Sequence, residues 1–306
     1  MVHARQELIH PTRRKRRKKT FYEHVEPYIF LLPALLVFII FLYFPFFKTV
    51  YLSTFLTDKL GQAKIFYGLT NYYDILFGKY SASFLNSLWV TAQFVVMVSV
   101  GGLLIGLAAS LMTVGKFPGK TFATAIYAMP IAIASAAAAM SFRMILHPSI
   151  GLLNAVLGTK NTWTSDPVWA LPIMALLTVW LTSGINFIFI GAGLRNIPEE
   201  LYESASIDGA GYWRRFFSIT LPCLSPTLFF QIVINVIGAF QSFTQIRLLT
   251  QGGPNEATNV IVYSIYLDAF RNFRFGSAAA RSIILFAIIL IITLIQFRME
   301  KRSVHY

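Results

Sequence analysis

Charge is the first thing this sequence lacks. Only 13% of its 306 residues are charged, against roughly a quarter in an ordinary soluble domain, and that shortage excludes the soluble class. Acids are scarcer than bases, 13 against 26, giving a formal net charge of +13. Such an excess can mark a nucleic-acid partner, but none is expected here. Seven of the bases form the run Arg13, Arg14, Lys15, Arg16, Arg17, Lys18 and Lys19 directly before the first apolar block, the ordinary flank of a membrane helix. A single cysteine, Cys223, excludes an internal disulfide and any metal site built from several thiolates. Beside Pro222, at the start of an apolar block, it reads as a small packing residue.

Catalytic equipment is missing too. His3, His10, His24, His147 and His305 lie nearly all in the tails, and no metal-spaced or nucleophile–base cluster falls in an apolar block. No catalytic residue and no metal site are therefore expected. Gly119-Lys120-Thr121 ends like a phosphate-binding loop, but that motif needs a glycine where Val114 stands. Pro118 also removes one of the amides, and no strand precedes the motif. The chain is read as holding no ATP site of its own. No cleavable signal peptide is expected either, because the first apolar stretch is too long and lacks a small-residue cleavage site.

What the sequence has is 56% hydrophobic residues, gathered in blocks of the ~20 residues that cross a bilayer. The fold class that follows is an all-α polytopic membrane protein. Six spans are expected, at residues 28–47, 84–112, 122–142, 167–194, 221–246 and 277–297. The division is a basic N-tail at 1–26, a six-helix domain at 27–298 and a C-tail at 299–306. With the N-terminus inside, the cytoplasmic segments carry 16 of the 26 Lys and Arg residues. The positive-inside rule thus favours cytoplasmic termini and a cell-membrane location.

The expected spans contain no Asp or Glu. Ion-driven transporters commonly place a carboxylate near the midplane to carry the coupling ion, so the energy is expected from elsewhere, with a secondary transporter or channel as the rival. Uncharged polar residues are present, and the fifth span is rich in them. Asn186, Asn235, Phe240, Gln241, Phe243 and Gln245 are candidates for a solute path, since alternating polar groups and rings suit a sugar. Interhelical hydrogen bonding is the competing reading. Gly102 with Gly106, and the alanine run at 134–139, should allow close helix approach. Pro130 and Pro226 should bend their helices.

Residues 195–222 form the largest cytoplasmic loop. Ile197-Pro198-Glu199-Glu200 has the composition of a helix start. Asp208-Gly209-Ala210-Gly211 should turn the chain, and a second amphipathic stretch at 212–219 should lead to Leu221-Pro222. A helix–turn–helix on the cytoplasmic face results, either a partnerless interfacial helix or a docking element.

Landmark spacing here resembles a known family. Glu203-Ser204-Ala205, three residues, Gly209, nine residues, Ile219, one residue, then Leu221-Pro222 is similar to the EAA loop of permease subunits in binding-protein-dependent ABC importers. Ser204 departs from the family's middle alanine. Leu31-Leu32-Pro33-Ala34, Gly68-Leu69-Thr70-Asn71-Tyr72 and Leu249-Thr250-Gln251-Gly252-Gly253-Pro254 resemble recurring segments of the carbohydrate-importer group, which includes sugar and glycerol-3-phosphate permease subunits. The resemblance implies a second permease subunit, two cytoplasmic ATPase subunits holding ATP and Mg, and an external solute-binding protein. It also implies that Glu203, Ser204, Ala205, Asp208, Gly209, Ile219, Leu221 and Pro222 couple the loop to the ATPase. For a phosphorylated solute, Arg143, Arg247, Arg271, Arg274 and Arg281 are candidate anion contacts near the outer face, with snorkelling helix-end arginines as the plain alternative.

Overall fold

The computed structural model describes residues 21–115 and 117–303, so the basic run at 13–19 lies outside the described residues. Two units divide the chain at Lys48 and Thr49. The described part of the first unit is helical. Helix Phe21–Phe38 passes through a π turn, Ile39–Tyr43, into Phe44–Ser53. Pro45 would clash with the Phe41 carbonyl in a regular helix, and the wider turn relieves that clash without breaking the rod. The expected span of 28–47 is accordingly longer, Tyr28–Ser53.

In the second unit four helices are long and apolar enough to span, Ser81–Val114, Ala170–Arg195, Tyr212–Phe240 and Phe275–Glu300. The bend expected at Pro130 in the span at 122–142 is present. The span is a pair, Lys120–Ala132 and Ser135–Ile145, bent by 104°. Met129–Ala132 tightens to a 3-10 turn around Pro130, and Ile133 and Ala134 are extended. Proline has no N–H to continue the ladder, so the helix restarts in a new direction. Counting the pair as one span gives six.

The second and fourth spans pack most closely. A Cβ on Gly106 would stand 2.4 Å from the Asn186 Cβ, and one on Gly102 would stand 2.8 Å from the Thr182 Oγ1. The two glycines thus set the helix separation, as small residues do where apolar lipid offers no hydrophobic drive to association. Around this seam Phe84, Phe94, Val98, Met174 and Leu177 form the main core, and Ala138 and Ala139 of the alanine run join it.

The sheet among the described residues is one hairpin, Phe55–Thr57 paired antiparallel with Ala63–Phe66. Asn71 is buried beside it and donates to the carbonyls of Ser53 and Phe55 at 2.9 and 3.1 Å. Those bonds satisfy backbone oxygens that leave the helix just where the strand begins.

Candidate functional site

Helix Glu199–Ile207 opens the long loop with two acids in its first turn, and Pro198 stands at its cap, one place earlier than the sequence pattern suggests. Its end is closed by two bonds. The Ala210 N–H donates to the Ala205 carbonyl at 2.9 Å, and the Gly209 N–H donates to the Ser206 carbonyl at 3.1 Å. This crossed pair is a Schellman closure with Gly209 in the left-handed position. Gly209 has φ +73°, and no atom stands within 4 Å of where its Cβ would lie. Backbone conformation, not crowding, requires glycine here.

The next stretch differs from expectation. Tyr212–Arg215 does not form a separate second helix. It continues through a π turn, Phe216–Thr220, straight into Leu221–Phe240. The carbonyl that Pro222 would strike is that of Ser218, inside the π turn, so widening removes the conflict as it does near Pro45. Loop and fifth span are one rod, which ends at Phe240 rather than at 246.

Tyr202 and Thr220 tie the loop helix to this rod, their hydroxyls 2.9 Å apart in a shared hydrogen bond. Below them Ile190, Leu194, Ile197 and Leu224 bury a second, smaller core against which Ile219 packs. Arg195, Tyr202, Tyr212 and Arg215 help line a cavity of about 520 Å³ beside it. Glu203, Ser204 and Asp208 are exposed, Ala205 is half-buried, and Leu221 and Pro222 are half-buried at the start of the span. Ile207 is 88% exposed at the tip. Cys223 is exposed, which corrects its reading as a packing residue.

Deeper in the unit, Asn186 and Asn235 face each other. Each amide donates to the other's oxygen, at 3.3 and 3.0 Å, and Asn186 also donates to the Thr182 carbonyl at 3.0 Å. Phe240 and Gln245 are buried as well, Phe243 is half-buried and Gln241 is exposed. The six path candidates therefore do not form one surface. Asn186 and Asn235 clasp two spans, while 240–245 lie where the fifth helix breaks between Phe240 and Thr244.

The arginine candidates also separate. Arg281, inside the last span and 3% exposed, pairs with Asp268 at 3.0 Å and contacts Ser264. Arg274 pairs with the same carboxylate and lies over the Tyr80 ring, 4.4 Å from its centroid. Ser277 and Asn272 donate to Asp268 at 3.1 Å each. A buried carboxylate with two guanidinium partners and two further donors is fully satisfied. Arg274 and Arg281 are thus committed within the protein, which corrects their candidacy as anion contacts. Asp268 itself is a lone acid in a stretch of arginines, a pattern visible in the sequence that points to pairing. The buried Asn71 lies in the segment 68–72 already singled out in the sequence.

The family described as binding-protein-dependent transport system inner membrane component matches residues 99–305. The chain belongs to that family. It is 37% identical over 293 residues to the sn-glycerol-3-phosphate transport system permease protein UgpA of Agrobacterium fabrum, covering 94% of this chain and 98% of that one. Against the protein of that name from Escherichia coli (strain UTI89 / UPEC) the identity is 33% over 284 residues, 92% and 95% covered. A bacterial alginate ABC transporter, crystallised with an alginate pentasaccharide-bound periplasmic protein, has a similar fold. Its TM-score is 0.80 at 24% identity, covering 93% of this chain and 98% of that chain. This permease is accordingly the membrane-spanning, non-enzymatic part of an ABC importer of the carbohydrate-importer group, and ATP hydrolysis belongs to partner subunits.

Proposed function

We propose that this permease carries a carbohydrate-class solute inward and that the solute is a phosphorylated polyol of the glycerol phosphate kind. The observation that carries this reading is the relationship to sn-glycerol-3-phosphate permeases over 94% of the chain. Both termini face the cytoplasm, by the placement of the basic residues. A second permease subunit, different from this one, completes the pathway. Two ATPase subunits hold ATP and Mg below it, and an external binding protein delivers the solute.

In this reading the ATPase grips the tip of helix Glu199–Ile207. Glu203 offers a polar contact, Ser204 and Ala205 a close packing face, and Asp208-Gly209 the fixed turn beside the exposed Ile207. Force then enters a single helical element, which runs through Pro226 without a break. The rod from Tyr212 to Phe240 is continuous, and Ile219, Leu221 and Pro222 lie at its junction with the loop. The Tyr202–Thr220 bond stops the loop helix from swinging independently of the rod. A displacement of the tip is therefore passed to the outer end of the fifth span, where Gln241 and Phe243 flank the helix break. Polar-path lining is assigned to those two residues, and the clasp to Asn186 and Asn235.

The test begins with the partner binding protein, whose melting temperature is measured with sugars and with glycerol phosphates. Stabilisation by glycerol 3-phosphate supports the reading. Stabilisation by neutral sugars alone overturns the phosphorylated cargo and leaves the importer assignment intact.

A further inference from the structure

Cationic residues on the outer side of a membrane protein run against the positive-inside bias, so each calls for a reason. Asp268 accounts for Arg274 and Arg281. Arg247 and Arg271 have no such partner, since neither guanidinium pairs with a carboxylate or donates a hydrogen bond among the described residues. Both are exposed.

Arg247 belongs to an aromatic cluster beyond the break in the fifth span, and Arg271 ends the helical segment that carries two of its tyrosines. Arg247 lies over the Tyr266 ring, 4.8 Å from its centroid, and 5.8 Å from that of Phe243. Phe243 meets Tyr266 at 5.0 Å, and Tyr266 stacks on Tyr263 at 5.9 Å. Tyr263, Tyr266 and Phe270 recur at helical spacing, with Arg271 ending the same turn at Leu267–Arg271. The Tyr263 residue is only 4% exposed, and its hydroxyl makes no hydrogen bond among the described residues. Burial pushes that hydroxyl's pKa up, while the positive charges of Arg271 and Arg247 both pull it back. Arg247 on its ring stack and Arg271 at the end of the segment that carries the tyrosines put two exposed positive charges beside the same cluster.

A guanidinium resting on a ring keeps its N–H edge available, and that planar fork fits a phosphate with two parallel bonds. The adjoining rings suit the C–H face of a polyol. We propose that Arg247 and Arg271, with the Tyr263 hydroxyl and the Tyr266 ring, form an outer docking site for the phosphate of a phosphate monoester. The site receives the solute at the mouth of the path, next to Gln241 and Phe243. This rests on the phosphorylated-polyol reading above and assigns that solute its first contact on this chain.

The test uses the full importer with its binding protein in vesicles of neutral phosphatidylcholine, with glycerol 3-phosphate as the probe. Arg247→Gln and Arg271→Gln should each raise KM for uptake by ~10-fold, the loss of a charge-assisted phosphate contact. Arg247→Lys and Arg271→Lys, which keep the charge without the fork, should lie between. Co-purification of the partner subunits confirms that each variant assembles, and the two lysine variants replace any glutamine variant that does not. An unchanged KM overturns the site. A phosphate headgroup on a lipid has the same chemistry. If the substitutions act only in vesicles containing phosphatidylglycerol, the arginines serve the lipid and the site is likewise overturned. A wild-type importer that moves maltose and not glycerol 3-phosphate overturns the solute reading itself. Ester uptake indifferent to both substitutions overturns the docking site alone.

Discussion

The side chains of Asn186 and Asn235 donate to each other across the fourth and fifth spans, with N–O distances of 3.3 and 3.0 Å. Gly102 of the second span lies against the same pair, since a Cβ there would stand 3.1 Å from the Asn186 Nδ2 and 3.8 Å from that of Asn235. Three spans therefore meet at one polar clasp.

Asn235→Ala should remove the clasp and leave the Asn186 oxygen without its partner. The expected loss is about 0.6–1.7 kcal/mol, the range for interhelical hydrogen bonds in membranes. Thermal unfolding in detergent, run as a double-mutant cycle with Asn186→Ala, isolates the pairwise part. Additive single effects would show that the pair contributes nothing as a pair.

Gly106→Ala should be worse than its single methyl suggests. The new Cβ would lie 2.4 Å from the Asn186 Cβ and 3.1 Å from the backbone of the fourth span. Neither neighbour is the free end of a flexible chain, so the helices must separate, at about 1–3 kcal/mol. A melting temperature equal to wild type would mean that the seam adapts.

Asp268→Asn should strand a positive charge. Arg281 is 3% exposed and would keep its charge without a carboxylate, a loss of about 3–5 kcal/mol. The double replacement Asp268→Leu with Arg281→Met should recover much of that loss. Yield of monodisperse protein and its melting temperature read both outcomes.

Gly209→Ala separates folding from coupling. A non-glycine residue at φ +73° costs about 1–2 kcal/mol of local conformational energy, enough to loosen the Schellman turn but not the membrane core. Gly209→Pro should leave the permease in the membrane and abolish solute-stimulated ATP hydrolysis by the assembled importer. Tyr202→Phe should weaken coupling less, because it removes one hydrogen bond of about 1 kcal/mol. Normal coupled transport by Gly209→Pro would remove the loop from the mechanism.

The sequence by itself determined the class and the family. Apolar blocks of spanning length leave no other solvent for these helices than lipid, and the spacing from Glu203 through Gly209 to Pro222 marks the loop. It also located Gly102 and Gly106, because only residues without bulk let two helices approach closely. Tertiary structure decided what depends on contacts between distant segments. It set how sharply the third span turns at Pro130, by 104°, where the sequence showed only that a proline would bend it. It fused 212–219 to the fifth span, because a π turn absorbs the conflict with Pro222 that a sequence pattern registers as a break. It withdrew Asn186 and Asn235 from the solute path by pairing them, and Arg274 and Arg281 from anion binding by giving them Asp268. What a polar side chain does in a membrane depends on whether its partner is another side chain or a solute. That is a question of distance, and the sequence does not contain distances.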